Sequence, residues 1–232
     1  MKKQDIEQLY HLLRVVSNAS GERKVDQMTG LSPHEQVDVI YGLCRHLLAG
    51  GDYSALVRFS QFYGESFLVE PTFNAIKNYG WQPERVVEFG AGLGWLARGL
   101  SARLGMTPCL FVDKRPWPLI DLVADLETEE GREEVLAELK EGDLIVACEL
   151  VHCLDYPKEV MSDFASWPTA IIEYYPDDAS WRESYSAQTA RYGASHIMSA
   201  RALGNVFSGR TTTTINIAPF ILMLVDPAVK DE

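Results

Sequence analysis

The stretch Arg85-Val86-Val87-Glu88-Phe89-Gly90-Ala91-Gly92-Leu93-Gly94-Trp95-Leu96 decides the fold of this chain. It begins with an apolar run too short for a helix and ends in three glycines at alternate positions. Leu96, Leu100 and Leu104 then return to helical spacing. A buried strand that feeds a helix through a glycine loop is the opening unit of a parallel sheet. Glycine lets the backbone approach a ligand closely, and the first turn of a helix offers unpaired N–H groups. The spacing here is G-x-G-x-G. The dinucleotide pattern G-x-G-x-x-G requires glycine at position 95, which is Trp95. Glu88, two residues before the first glycine, repels a pyrophosphate and suits a ligand that carries an ammonium group.

Downstream, short apolar runs alternate with helical patterns. Cys109 to Asp113 reads as a second strand, Ile120 to Ala124 contains a weaker third, Asp143 to Cys148 is a fourth and Thr169 to Tyr174 a fifth. Val135, Leu136 and Leu139 mark a helix between the third and fourth. Arg210 to Ile217 and Ala218 to Val225 are two strand-like runs that almost touch, and so short a link permits only an antiparallel hairpin. The expected fold is therefore α/β: a mostly parallel, seven-stranded, doubly wound sheet closed by a C-terminal antiparallel hairpin.

Upstream, the pattern is helical. Ile6, Leu9, Leu13 and Val16 keep a helical period, and Ser32-Pro33-His34-Glu35 is a capping box with proline at the first helical position. A further helix is expected over Pro71 to Tyr79, stopped at Gly80. Residues 1–70 are thus expected to form an N-terminal helical cap on a domain of residues 71–232, with 176–209 as an insertion on the substrate side.

Charge narrows the partners. Lys plus Arg number 21 and Asp plus Glu 33, a net charge of −12. Binding by phosphate neutralisation needs a dense basic face, so a nucleic-acid partner is not expected. Between Asp125 and Asp143 nine acids face only Arg132 and Lys140, a pattern that reads as a solvated helix face. The longest apolar run, Ile217 to Val225, falls far short of the ~20 residues that span a bilayer. Met1-Lys2-Lys3 leads into Gln4-Asp5 and not into an apolar leader, and the four cysteines show no disulfide spacing. A cytoplasmic location without membrane attachment is the expectation.

Glu88-x-Gly90-x-Gly92-x-Gly94, the acid Asp113 that ends the second strand, and the closing hairpin together resemble the class I S-adenosylmethionine (SAM)-dependent methyltransferases over roughly Pro71 to Pro227. The resemblance implies an enzyme with SAM as its cofactor. It assigns the methionine end of the cofactor to Glu88, Gly90, Ala91, Gly92 and Gly94, the ribose to Asp113 beside Lys114, and the adenine side to Asp125 and Leu126, with Cys148 closing the set. One departure stands out. Asp113 and Asp125 are only 12 residues apart, and Lys114-Arg115-Pro116-Trp117-Pro118 leaves room for a turn where the family fits a helix. Trp117 is a candidate to stack on the adenine.

The chemistry is expected after the fourth strand, at Cys148-Glu149-Leu150-Val151-His152-Cys153. Glu149 and His152, three apart, can share one face of a helical turn. They are the candidate catalytic pair. His152 suits proton transfer at neutral pH, with a positioning role as the alternative. Two cysteines, a histidine and a glutamate also raise a zinc site, but the Cys-x4-Cys spacing is unusual and no second ligand cluster appears, so no metal is expected. Asn-Pro-Pro-Tyr, the mark of DNA amino methylation in relatives, is absent. The fifth strand carries Glu173 and no lysine, unlike RNA ribose methyltransferases.

On the substrate side, Tyr174-Tyr175-Pro176 leads to Asp177, Asp178, Trp181 and Arg182, an aromatic wall with a few charges that suits a small organic acceptor. Arg191, His196 and Arg201 offer cationic groups without a spacing pattern. Methyl transfer to a small molecule is the leading reading. Protein methylation and a SAM-binding regulatory protein without methyl transfer are the alternatives. Oligomeric state is not encoded in any pattern found.

Overall fold

A computed structural model describes residues 68–92, 94–105, 107–116, 119–175, 199–217 and 220–228. The cap expected over 1–70 lies almost wholly outside the described residues. So do Leu93, Trp117, Trp181, Arg182, Arg191 and His196, and most of the 176–209 insertion.

The described elements are α1 (Glu70–Tyr79), β1 (Arg85–Phe89), α2 (Trp95–Arg103), β2 (Cys109–Asp113), β3 (Leu122–Val123), α3 (Glu129–Glu138), β4 (Asp143–Cys148), α4 (Pro157–Asp163), β5 (Thr169–Tyr174), α5 (Ala200–Val206), β6 (Thr212–Ile217) and β7 (Phe220–Val225). A single 3₁₀ turn, Val151–Cys153, follows β4. The seven strands form one sheet in the order β3-β2-β1-β4-β5-β7-β6. The first five are parallel, and β7 runs antiparallel to both β5 and β6.

Burial follows position in the sheet. The inner strand β7, Phe-Ile-Leu-Met-Leu-Val, is buried at every residue, as its unbroken apolar sequence requires. The edge strand β6, Thr-Thr-Thr-Ile-Asn-Ile, alternates exposed and half-buried residues. Helix α2 packs on β1, β2 and β4. Strands β1 and β4 start as a pair, with Arg85 in register with Asp143. Arg85 Nε and Nη2 donate to the two Asp143 carboxylate oxygens at 2.8 and 2.6 Å, a bidentate tie at the amino end of the sheet.

The third strand lies within Ile120 to Ala124, as expected, and is only two residues long. The reason is chain length. A parallel crossover ordinarily takes a dozen or more residues. Only residues 114–121 separate β2 from β3. The chain therefore cannot return to the start of β2. It re-enters beside its end, with Val112 paired to Leu122 and Asp113 to Val123. Asp121 secures the re-entry from both sides. Its N–H donates to the Phe111 carbonyl at 3.0 Å, and its carboxylate accepts from the Phe111 N–H at 3.0 Å. Thr212 and Phe220 open the hairpin strands slightly later than expected.

Helix α3 begins at the N-cap Thr128, whose hydroxyl accepts from Gly131 N–H at 3.1 Å. Gly131 is there for space. A Cβ at this position would land on the backbone of Asp125, with its carbonyl oxygen nearest. Helix propensity alone favours alanine over glycine by about 1 kcal/mol. The clash should outweigh that gain, so Gly131→Ala is expected to destabilise the fold by about 1 kcal/mol or more in urea denaturation. A stabilised variant would show that α3 does not seat on the Asp125 peptide.

Candidate functional site

The carboxyl ends of the parallel strands bring together residues far apart in sequence, which is where ligands bind in open α/β sheets. Strand β1 delivers the glycine loop, β2 delivers Asp113, β4 delivers Cys148 to Cys153, and β5 delivers Glu173.

The loop turns because Gly90, Gly92 and Gly94 all have positive φ, at 63°, 51° and 63°. Two of the three also need the absence of a side chain. A Cβ at Gly90 would come within 2.9 Å of Leu150 Cδ1, and one at Gly94 within 2.8 Å of the Phe111 ring. Gly92 differs: among the described residues, a Cβ there would meet nothing closer than the Gly90 carbonyl at 4.0 Å. The Gly92 side of the loop is open.

Strand β2 holds the loop in place. Ala91 N–H donates to the Val112 carbonyl at 2.9 Å, and Gly92 N–H donates to Asp113 Oδ2 at 2.9 Å. Asp113 Oδ1 accepts from Arg115 N–H at 2.8 Å. Each carboxylate oxygen accepts more than one hydrogen bond, so Asp113 keeps capacity for hydroxyl donors. Lys114 beside it is exposed.

Glu88 is buried at 3% exposure and points along the helix that follows. Its Oε2 accepts from Ala97 N–H at 3.0 Å, so it satisfies one of the orphan donors of the first turn of α2. Burial pushes its carboxyl up to about 8, against the hydrogen bond from Ala97 and the charge of Arg98. The negative charge of Asp113 adds to the rise. A cation bound nearby would favour the ionised form.

Asp125 Oδ1 closes a turn by accepting from Glu127 N–H at 3.1 Å. Leu126 buries its side chain in the core and gives its carbonyl to Arg132 Nη1 at 3.1 Å. The contact with the adenine side expected at Leu126 would therefore run through its main chain. Apolar packing under the sheet claims the side chain.

The turn after β4 differs from the expected helical turn. Glu149 and His152 do not share a face of one helical turn. Glu149 precedes the 3₁₀ turn and has φ 54°, the only left-handed residue other than glycine among those described. Its N–H donates to the Ile172 carbonyl at 2.8 Å, which continues the β4–β5 ladder by one step. His152 instead faces β5. Its Nδ1 lies 2.6 Å from Glu173 Oε2, with both side chains buried. Glu173 Oε1 accepts from Val151 N–H at 2.8 Å.

Burial opposes a charge on His152, but Cys153, Glu173 and Glu149 more than offset it and hold the ring well above its ordinary value. The 2.6 Å contact of Nδ1 with Glu173 fixes the orientation of the ring, a geometry that suits a positioning role. Burial, helped by the charges of Glu173 and Glu88, keeps Cys148 a thiol. Among the described residues no group of three or more His, Cys, Asp or Glu is disposed to hold a metal ion. Glu173 is the site residue that sequence reading missed. Its signal was present, a carboxylate in an otherwise apolar buried strand.

No protein-family model matches the sequence, and no curated protein matches it either. Solved structures do match. The carbon methyltransferase CurJ aligns at TM-score 0.56 and 14% identity, covering 98% of this chain and 71% of that one. Human N-acetylserotonin methyltransferase, solved in complex with SAM, aligns at 0.55 and 12%, covering 94% and 67%. An O-methyltransferase family protein from Burkholderia thailandensis aligns at 0.48 and 11% over 77% of this chain, which spans 61% of its length. At these identities the likeness is one of fold. The fold is that of the class I SAM-dependent methyltransferases.

Two outcomes test the site. A residue other than glycine in the left-handed region carries roughly 1–2 kcal/mol of strain. Glu149→Gly should therefore be more stable than Glu149→Ala by about 1 kcal/mol, or roughly 2–4 °C in Tm. Equal melting of the two variants would mean that position 149 is not left-handed. Glu88 gives a pH dependence. Between its ordinary value of 4.5 and about 8, the folded form keeps a proton that the unfolded chain releases. Its contribution is full below the lower value and is lost as pH rises through the upper one. Glu88→Gln should remove that part of the slope, so the stability difference between wild type and variant changes across this window. A constant difference would place Glu88 in a solvated site.

Proposed function

We propose that the chain is a SAM-dependent methyltransferase acting on a small-molecule acceptor. The observation that carries this reading is the glycine loop itself. It is held by Asp113 and Val112 from β2, and its Gly92 side is open where a Cβ would otherwise project. The donor set fits the cofactor. Asp113 offers a carboxylate suited to a ribose diol, and Glu88 offers a buried carboxyl that a cation would ionise. Asp125 keeps acceptor capacity at the end of β3. When bound, SAM supplies an electrophilic methyl group on a sulfonium.

The residues of the chain then have distinct tasks. Gly90 to Gly94 bring backbone within reach of the cofactor, and Asp113 orients it. Glu149, half-buried on a left-handed backbone at the end of β4, is the carboxylate proposed to meet the acceptor or the amino end of the cofactor. His152 is proposed to position this turn through its bond to Glu173. Alignment of nucleophile, methyl and sulfur is what such a site contributes, and proximity of this kind can supply up to ~7–11 kcal/mol. The small-molecule acceptor draws support from the structural neighbours, among them N-acetylserotonin methyltransferase. A protein acceptor and a SAM-binding role without turnover are the competing readings.

Thermal melting with SAM, S-adenosylhomocysteine and NAD tests the cofactor. Ligand at 100 times its Kd stabilises by about 2.7 kcal/mol, or roughly 5–10 °C here. Both adenosyl ligands should raise Tm, NAD should not, and Asp113→Ala should abolish the rise. A response to NAD alone would overturn the reading. Transfer of a labelled methyl group to a small-molecule panel, but not to basic proteins, is the expected result for the acceptor.

A further inference from the structure

The β4–α4 turn is held from two sides. From β5 it is gripped at three points: Ile172 carbonyl to Glu149 N–H at 2.8 Å, Glu173 Oε1 to Val151 N–H at 2.8 Å, and Glu173 Oε2 to His152 Nδ1 at 2.6 Å. Cys153 N–H donates to the Leu150 carbonyl at 2.8 Å and closes the turn on itself. On the other side Leu150 lies against the cofactor loop, so close that a Cβ at Gly90 would come within 2.9 Å of its Cδ1.

A carboxylate 1% exposed in the apolar run Thr169–Tyr174 is a costly choice. Replacing a buried ion pair by apolar residues is often neutral or stabilising, so stability alone does not explain Glu173. What Glu173 does that a leucine cannot is grip a main-chain N–H and a side-chain nitrogen of the same turn. That fixes the turn in rotation as well as in distance. Leu150, between the two gripped ends, is then aimed at Gly90.

We infer that Glu173 is a positioning residue for the cofactor loop: it clamps the Glu149–Cys153 turn from β5, and Leu150 transmits that placement to Gly90. The chain of contacts runs from Glu173 through Val151 and His152 to Leu150 and then to the loop. Glu173 touches neither Gly90 nor, by this account, the ligand. The inference rests on the glycine loop being the cofactor seat.

A double-substitution cycle tests it, with SAM binding followed by calorimetry in wild type, Glu173→Gln, Leu150→Ala and the pair. Coupling through packed side chains commonly modulates affinity by roughly 2- to 30-fold. Glu173→Gln should weaken SAM binding within that range in the wild-type background and far less in the Leu150→Ala background. The Gly90 amide resonance of the ligand-free protein should shift between wild type and Glu173→Gln, and should not move between Leu150→Ala and the pair. A purely structural role predicts a lower Tm with independent effects of the two substitutions. Additive effects, or an unchanged affinity with an unmoved Gly90 resonance, would overturn the inference. If Glu173→Gln does not fold, His152→Asn carries the same cycle, because it removes the ring and leaves the Val151 contact. Failure of wild type to bind SAM would count against the cofactor reading. The Gly90 resonance would still read the clamp.

Discussion

The structure depends on one sharp turn at the end of β1. There the chain leaves the middle of a parallel sheet and starts a helix within a few residues. Only left-handed backbone makes that turn, and three glycines supply it. The turn then has to be held, because glycine costs entropy to order. Strand β2 does so with the Val112 carbonyl and the Asp113 carboxylate, which accept from Ala91 and Gly92. Phe111 of the same strand closes over Gly94, and from the β4 side Leu150 closes over Gly90. The same contacts that stabilise the loop leave the Gly92 side as its open face. Packing and the candidate binding site are one arrangement.

The short link between β2 and β3 shows how chain length limits architecture. Eight positions, 114–121, cannot carry a helix back across the sheet. The result is a two-residue strand at the edge, secured by Asp121 on Phe111. Val123 is left 48% exposed there. Asp113 and Asp125 are brought to the same end of the sheet by this short route. A departure visible in the spacing of two acids thus becomes a difference in how the cofactor side is built.

Buried ionisable side chains are the second theme. Glu88, Glu173 and His152 are each at most 3% exposed. They share a logic, in that each ties a strand end to the segment that follows or neighbours it. Glu88 holds the first turn of α2, and Glu173 with His152 holds the turn after β4. Polar groups placed this way hold loop ends rigidly, through hydrogen bonds that the buried backbone would otherwise lack. The large negative charge of the chain says little about the site, because its densest run of acids lies on the exposed face of α3.

The sheet was legible in the sequence because each strand and helix declares itself locally. Apolar runs, helical periods and glycine stops report burial and turning within a few residues. So did the glycine loop, Asp113 and the hairpin, whose meaning depends on spacing alone. The length of β3 was half legible, as a link too short for a helix. What sequence did not show was direction. His152 lies 21 residues from Glu173. Nothing near His152 in the chain indicates that its ring turns inward to a carboxylate on another strand, and not outward to a substrate. The left-handed backbone of Glu149 and the inward face of Leu126 were hidden for the same reason. Local periodicity determines which elements form, whereas the partner of a polar side chain is chosen by whatever the packed sheet places within about 3 Å of it.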